Sequence, residues 1–347
     1  MTITRLWQAG AEFDDELVEF TATSNASFST SNSKAHTGTY AFRTTVNRYA
    51  TQTLPSSTAQ MRLGFFLNHN GAGSGDSPSV CRLMGGGNVT VELRWDGDGS
   101  TLRLLLGSTE EDSALSATFA QTDTWLHIGI DCKIAASGGW VTVYLDGVEV
   151  LSVTGDTTGG ASSIDSIIIG SPRTSDWWNN YIYFDDLYAD DTTGESATAI
   201  VPDQRFLPIT PNGNGSSSQW TGSDADSTDN YLLVDEIPPD GDTSYVETDV
   251  SGNTDEYAMS NISVPSGYDV AAMIPMAYAK KLNAGGSLDL KLKTRTTVSG
   301  TPYFALSSAM TLGTDYTLIW ERRPLRPDGG AWDETTVNAA EIGITAD

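Results

Sequence analysis

An all-β fold is predicted for this chain by three observations: apolar residues recurring with period two, turn dipeptides closely spaced between them, and a composition rich in small turn-forming residues. The 347 residues include 34 Gly and 13 Pro, which suits many short strands joined by tight turns. At this length two ordinary domains can each bury a substantial core.

The clearest alternation runs from Thr124 to Asp191. In TWLHIGIDCKI, Leu126, Ile128, Ile130, Cys132 and Ile134 fall on one face, and Trp125, His127, Asp131 and Lys133 on the other. That is a strand with one dry side. The next strand separates Val141, Val143 and Leu145 from Trp140, Thr142 and Tyr144. It then meets Asp146-Gly147, a dipeptide that tolerates the positive φ angles of a tight hairpin, and resumes at Val148. SIDSIIIG and YIYFDDLYADD complete an antiparallel sheet, and nothing in the stretch has helical period.

These residues carry a resemblance. The Trp-x-His strand, the V-x-V-Y-x-D-G hairpin, the I-x-x-I-x-I-G strand and the closing F-D-D-L-Y strand resemble the laminin-G-like, concanavalin A-like jelly-roll family. The segment AHTGTYAFRTTV (35–46) is similar to an early strand of its phage and bacterial members. The resemblance spans residues 1–191 and implies a jelly-roll sandwich. It does not select a function, because the family includes lectins, glycan-binding modules, glucanases, receptor domains and virion surface proteins.

Upstream, Met61, Leu63, Phe65 and Leu67 alternate as in a half-buried strand, and NGAGSGDSPS (70–79) reads as a loop. VTVELRW (89–95) and TLRLLLG (101–107) flank Asp96-Gly97-Asp98-Gly99-Ser100, which predicts a second hairpin. That D-x-D-x-S run does not make a calcium loop: Thr101 replaces the Gly needed at the sixth position, and Gly107 the bidentate Glu at the twelfth. In PRTSDWWNNY, Trp177 and Trp178 point to opposite sides of an extended chain. With Asn179 and Asn180 they form a candidate glycan platform, a flat ring face flanked by amides; the competing reading caps the core with both rings.

Asp185 and Asp186 lie between Phe184 and Leu187, which cannot both face the core in a strictly alternating strand. A β-bulge is therefore predicted at the Asp pair. Two readings stay open: one carboxylate bonds backbone N–H groups, or the pair ligates calcium; related lectins use acidic residues near a sandwich rim for calcium, but no residue correspondence carries that site onto this chain.

Residues 192–205, TTGESATAIVPDQR, read as a linker or strap, and 206–347 as a second, smaller β-sandwich-like domain for assembly or docking. In SLDLKLKTRTTV, Leu288, Leu290 and Leu292 face one side, and Asp289, Lys291, Lys293 and Arg295 the other. Pro275 turns VAAMIPMAYAKKL toward an edge strand rather than a helix. A short helix is expected after Asp333 as N-cap, then a final strand at EIGI. Acidic residues crowd 203–269, whereas Lys291, Lys293, Arg295, Arg322 and Arg323 come later. Opposite patches on two copies could meet and make this chain a homo-oligomer; the alternative is that the charges pair within one domain.

Net charge excludes some partners. With 19 Lys and Arg against 45 Asp and Glu, the formal charge is -26, which repels nucleic acid and anionic membrane surfaces. Two cysteines, Cys81 and Cys132, do not make a disulfide framework. No apolar run reaches membrane-spanning length, and no export signal is read at the start. Three histidines, His36, His69 and His127, show no metal-ligand spacing, and His127 is read as packed and hydrogen-bonded. Glu110-Glu111-Asp112, placed in a turn-like segment, does not supply the carboxylate pair of a retaining glycosidase. No phosphate loop or nucleophile elbow is present either. The chain is therefore expected to be non-catalytic and to need no cofactor, with calcium as the one candidate.

The second half, with W-x-G-S-D, the NYLLVDEIPPDGDTSYV run and the terminal WDETTVNAAEIGI, resembles the ends of tailed-phage virion structural proteins. That resemblance implies a component exposed on the particle, a tail fibre or capsid decoration protein, with other virion proteins and a host surface glycan as partners. The alternative is a free carbohydrate-binding module or a degenerate glycan hydrolase.

Overall fold

A computed structural model describes residues 4–12, 19–24, 28–45, 47–69, 78–95, 101–107, 109–114, 123–172, 181–196, 203–284 and 289–347. The chain divides into two compact units, Met1–Phe206 and Leu207–Asp347. The first contains β1 (Thr4–Ala9), β2 (Ala22–Thr23), β3 (Ser29–Ser31), β4 (Ala41–Thr44), β5 (Arg48–Thr58), β6 (Gln60–His69), β7 (Ser79–Gly85) and β8 (Asn88–Trp95). It continues with β9 (Thr101–Leu106), β10 (Thr109–Ala114), β11 (Leu126–Lys133), β12 (Gly139–Leu145), β13 (Val148–Gly155), β14 (Ile164–Ser171) and β15 (Ile182–Asp191).

These strands form two antiparallel sheets. An eight-stranded sheet runs β13-β12-β11-β6-β15-β4-β3 with β1 added along β15, and a seven-stranded sheet runs β10-β9-β8-β7-β14-β5-β2. The predicted alternation places the core between them. Met61, Leu63, Phe65 and Leu67 from β6, Ile128, Ile130 and Cys132 from β11, and Val141 and Val143 from β12 meet Leu83, Leu93, Trp95, Leu104, Ile167 and Ile169 of the other sheet. The chain is thus an all-β sandwich in this unit, as predicted. The Asp146-Gly147 hairpin has the expected positive φ at both residues, 49° and 77°. Asp96 to Ser100 lie outside the described residues, and the strands they join, β8 and β9, pair antiparallel.

Two local expectations are corrected. Glu110, Glu111 and Asp112 belong to β10, paired with β9, and not to a turn. The far side of the central strands is also dry: every residue of β6 is buried, and so are His127 and Asp131 of β11. Alternation counts only the apolar side chains, but this outer face is covered by large polar and aromatic ones. Tyr188 lies across Gly64, where any Cβ would meet its ring. Asp190, Arg62, Asp131 and Thr142 align as one cross-strand rung. The rung is charge-balanced, with Arg5 Nε 2.5 Å from Asp190 Oδ1, Arg62 Nε 3.3 Å from Asp131 Oδ1, and the Trp140 indole donating to Asp131 at 3.3 Å. Residues 204–206 cross above it: Arg5 donates to Gln204 at 2.6 Å, and Phe206 packs against Tyr144 and Tyr188.

The second unit contains β16 (Pro211–Ser218), β17 (Thr221–Gly222), β18 (Val246–Glu247), β19 (Thr254–Met259), β20 (Met276–Ala279), β21 (Leu290–Val298), β22 (Thr301–Leu306), β23 (Thr317–Trp320) and β24 (Glu341–Ala346). A five-stranded sheet, β16-β19-β24-β21-β22, is joined by two-stranded ribbons β17-β18 and β20-β23. Leu290, Leu292 and Ala346 of the sheet pack against Trp220, Ile319, Ala277 and Ala279, so sheet and ribbons close one layer on another. The short helix Glu334–Asn338 starts at the predicted N-cap, with the Asp333 carboxylate accepting the Thr336 N–H at 2.8 Å. Among the described residues no helix is long and apolar enough to cross a membrane.

Candidate functional site

The predicted bulge is present. Pairing of β15 with β6 shifts between Asp185 and Tyr188, and Asp186 takes φ 51°. The extra residue lets Phe184 and Leu187 both reach the core, each with no exposed area, and turns two adjacent carboxylates toward the loop of residues 36–40. Asp185 Oδ2 accepts the backbone N–H groups of His36 at 2.7 Å and Thr37 at 3.2 Å, while its Oδ1 accepts that of Asp186 at 2.8 Å. Asp186 Oδ1 accepts the Thr37 hydroxyl at 2.7 Å and the Phe206 N–H at 2.8 Å. A third carboxylate, Glu12, takes the N–H groups of Thr39 and Tyr40. Between them sits Gly38, with φ 62°, where a side chain would run into Glu12.

These bonds engage the oxygens of both carboxyl groups with N–H and O–H donors. Burial, and next the charge of Asp186, push the Asp185 carboxyl up to about 9, against the pull of its N–H donors. Burial also raises Glu12. One loop is therefore held by three buried acids, two of them biased toward the protonated form.

The loop presents His36. Its Nδ1 lies 2.7 Å from Asp186 Oδ2, an imidazole–carboxylate dyad in which the acid fixes the ring and leaves Nε2 as the other nitrogen. The His36 ring stacks on Phe66, with centroids 3.5 Å apart, and meets Trp125 edge-on at 5.6 Å. His127 also meets Phe66, with centroids 5.1 Å apart, and Arg205 lies over the same ring at 5.9 Å. Asp185, Phe66 and His127 are direct cross-strand partners on β15, β6 and β11, so the sheet register sets the row.

His127 corrects the sequence reading in one respect. Its backbone N–H donates to Asp146 at 2.8 Å, but the ring Nε2 is buried with no hydrogen-bond partner. Burial holds its pKa below the usual imidazole range, so the ring is neutral near pH 7. His36 and His127 are 91 positions apart in the chain, and no sequence spacing could have paired them. The sequence signal is that His127 falls on the polar alternate face of its strand; His36, in a loop, carries none.

The other candidates fall elsewhere. Trp177, Trp178, Asn179 and Asn180 lie outside the described residues. In the second unit Lys293 is 3.2 Å from Glu256, Arg295 3.8 Å from Glu256 and 3.9 Å from Glu341, Lys291 2.5 Å from Asp347, and Arg323 2.5 Å from Glu321. These cations meet carboxylates of their own unit. Arg322 is half-buried beside Arg323.

No family model matches the sequence, and no curated protein matches it. Solved structures of similar fold include a sialidase, at 13% identity and TM-score 0.39 over 55% of this chain and 19% of the sialidase. An endo-β-1,4-glucuronan lyase from the fungus Trichoderma reesei gives 13% identity and TM-score 0.39 over 55% of this chain and 97% of the lyase. The alginate lyase Aly36B gives 13% and 0.36 over 54% and 96%. The chain spans about a fifth of the sialidase it resembles.

The expectation of a non-catalytic chain is corrected here. The similar structures bear names of glycan-active enzymes, and the fold assembles a His–Asp dyad that the sequence did not show. The missing glucanase strand excluded one carboxylate mechanism, not acid–base chemistry in general. At these identities and TM-scores the likeness assigns no activity to this chain, and none of these structures bears on the tailed-phage resemblance. The architecture, an all-β chain with a β-sandwich in its first unit, rests on the sheets and the core between them.

Proposed function

We propose that the N-terminal sandwich contacts a glycan at the patch formed by His36, Phe66, Trp125 and His127. The observation that carries this reading is the His127 Nε2, buried without a partner on a patch where Trp125 and His36 keep part of their surface exposed, the His36 side chain 11% of it. A sugar offers what such a patch lacks: an apolar face for the rings and hydroxyls for the imidazole nitrogen. The His36–Asp186 dyad gives the same patch a group able to take up a proton, so turnover belongs beside binding in any test. On a glycan array, the intact chain should bind a defined set of glycans. Trp125→Ala and His127→Gln should each weaken that binding while the thermal melt stays cooperative. Binding unchanged in both variants would remove this patch. Loss only in a Trp177→Ala, Trp178→Ala double variant would move the platform to those residues and Asn179 and Asn180.

A second reading is an assembly role in a virion. It rests on the resemblance of the C-terminal half and on β22, an outer strand of its sheet that displays Tyr303, Phe304 and Leu306 at 39%, 62% and 42% exposure. Apolar strand edges of this kind pair with other chains. Mass spectrometry of purified particles should find the chain in many copies; its absence would end the virion reading.

A further inference from the structure

The five-stranded sheet of the second unit has two outer strands, β16 and β22, and only β16 is blunted. It begins at Pro211, is otherwise built of Asn, Gly and Ser, and shifts register against β19 at two places. Proline, polar side chains and bulges are the usual means of keeping a sheet edge from pairing. At the other edge β22 reads TPYFAL. It carries no charge, has no bulge against β21, exposes Tyr303, Phe304 and Leu306, and among the described residues has no neighbour on its outer side. A two-residue turn, Ser299-Gly300 with φ 51° and 80°, ties it to β21.

The register fixes which of its peptide groups face outward. Along an antiparallel strand the N–H and C=O of one residue point to the same side, and those of the next residue to the other. Ser307, just past β22, donates its N–H to the Leu292 carbonyl at 2.9 Å, in line with the pairing of Ala305 and Thr294. Ala305, Tyr303 and Thr301 therefore turn toward β21, and Leu306, Phe304 and Pro302 turn away from it. The outer edge thus offers two N–H donors and three carbonyls, because Pro302 has no N–H. Phe304 and Leu306 stand opposite Arg295 and Lys293, on one face of the sheet. There Lys293 pairs with Glu256, Arg295 with Glu341 and Lys291 with Asp347, so an approaching strand meets no uncompensated charge.

We propose that the chain forms a two-fold dimer in which β22 pairs antiparallel with β22 of a second copy, Phe304 opposite Phe304. In this register the Phe304 N–H donates to the Phe304 carbonyl of the second copy and the Leu306 N–H to its Pro302 carbonyl, each bond made twice by the symmetry. Every outward donor is used. A two-fold axis at Tyr303 would set Phe304 opposite Pro302, which has no N–H to return, and would keep half of these bonds. An axis at Ala305 would draw Ser307 into the pairing, and Ser307 is buried. The side chains match in the same register: Phe304 beside Phe304, Leu306 beside Pro302, and Tyr303 beside the small Ala305. Two five-stranded sheets become one of ten. The contacts are main-chain bonds and apolar groups between two chains of charge -26, so salt should tighten the dimer by screening their repulsion. A dimer held by opposite charge patches would weaken instead. Purified chain alone suffices to form the dimer, so its failure would leave the glycan and virion tests untouched.

Sedimentation of the full chain across the micromolar range should show a monomer of 37.0 kDa passing into a dimer, more completely at high salt than at low. Phe304→Lys changes an exposed side chain and should melt as the parent monomer does. It should weaken the dimer by at least about tenfold, because it sets two like charges face to face at the axis. Oxidation reads the register. Residues opposed in a bonded antiparallel pair have Cα atoms about 5.5 Å apart, within reach of a disulfide. With an added oxidant, Phe304→Cys should therefore cross-link into a covalent dimer. Leu306→Cys should not, since each copy of residue 306 lies opposite Pro302, far along the ladder from the other. Cys81 and Cys132 are buried and stay out of the reaction. A chain that remains monomeric across that range, a dimer that Phe304→Lys leaves intact or that salt weakens, or equal cross-linking of the two cysteine variants would each overturn the proposal. So would species larger than a dimer, which mark head-to-tail contact without a two-fold axis.

Discussion

Gly64 shows how one missing side chain shapes the outer face. It lies on β6 with the Tyr188 ring directly over it, and an added Cβ would overlap Cε1, Cζ and the hydroxyl of that ring. Tyr188 has no exposed area and packs with Tyr144 and Phe206, so it cannot simply swing away. Gly64→Ala should therefore lower stability by about 1–3 kcal/mol, the usual cost of overpacking, measured by urea unfolding. Asp185 is the second residue whose environment decides its behaviour. Its folded pKa lies above its unfolded value of 3.8, at about 9. The proton is thus held more tightly in the folded state, and the stabilisation is complete below pH 3.8 and lost as pH rises through about 9. Asp185→Asn places an NH2 where a carboxylate oxygen accepts N–H groups, at a cost of about 1–3 kcal/mol. It also removes the titration. The gap between parent and variant in urea melts should be widest below pH 3.8 and narrow steadily toward pH 9; a gap that widens with pH would show that Asp185 is ionised in the fold.

At the scale of elements, the strands follow from alternation, but their irregularities do the positioning. The bulge in β15 was legible because Phe184 and Leu187 could not otherwise share the core. The loop of residues 36–40 was not, since the three acids that hold it come from positions 12, 185 and 186. The short helix of the second unit was readable from its cap alone. Asp333 accepts the Thr336 N–H, and Thr336 accepts that of Asp333 in return. The five-residue segment Glu334–Asn338 has little helical stability of its own. Asp333→Ala should cost the second unit about 1 kcal/mol, read as a lowered melting temperature with an unchanged β signal in far-UV circular dichroism.

For the whole molecule, the dominant global property is the charge of -26. Like charges at this density repel one another across the fold and repel polyanions. Raising sodium chloride from low to physiological concentration should raise the melting temperature by screening that repulsion. The chain should pass through a DNA-cellulose column at the lower salt, where any phosphate contact would be strongest. Retention there would contradict the charge argument. The carboxylates that are already paired, such as Glu92 between Arg82 and Arg94 at 2.8 Å each, sit in local clusters that salt should affect least.

The sequence by itself determined the class of the fold, the faces that form its core and the turns that join its strands. Each depends on neighbours two to four positions apart, where pleat and turn chemistry act directly. It also determined the helix cap and the bulge, for the same reason. Only the tertiary structure decided that the polar faces of β6, β11 and β15 are buried. It alone set His36 against Asp186 and left His127 Nε2 without a partner. Those facts depend on cross-strand register and on which distant side chains lie across a sheet, and a periodicity of two carries no information about what will cover the other face.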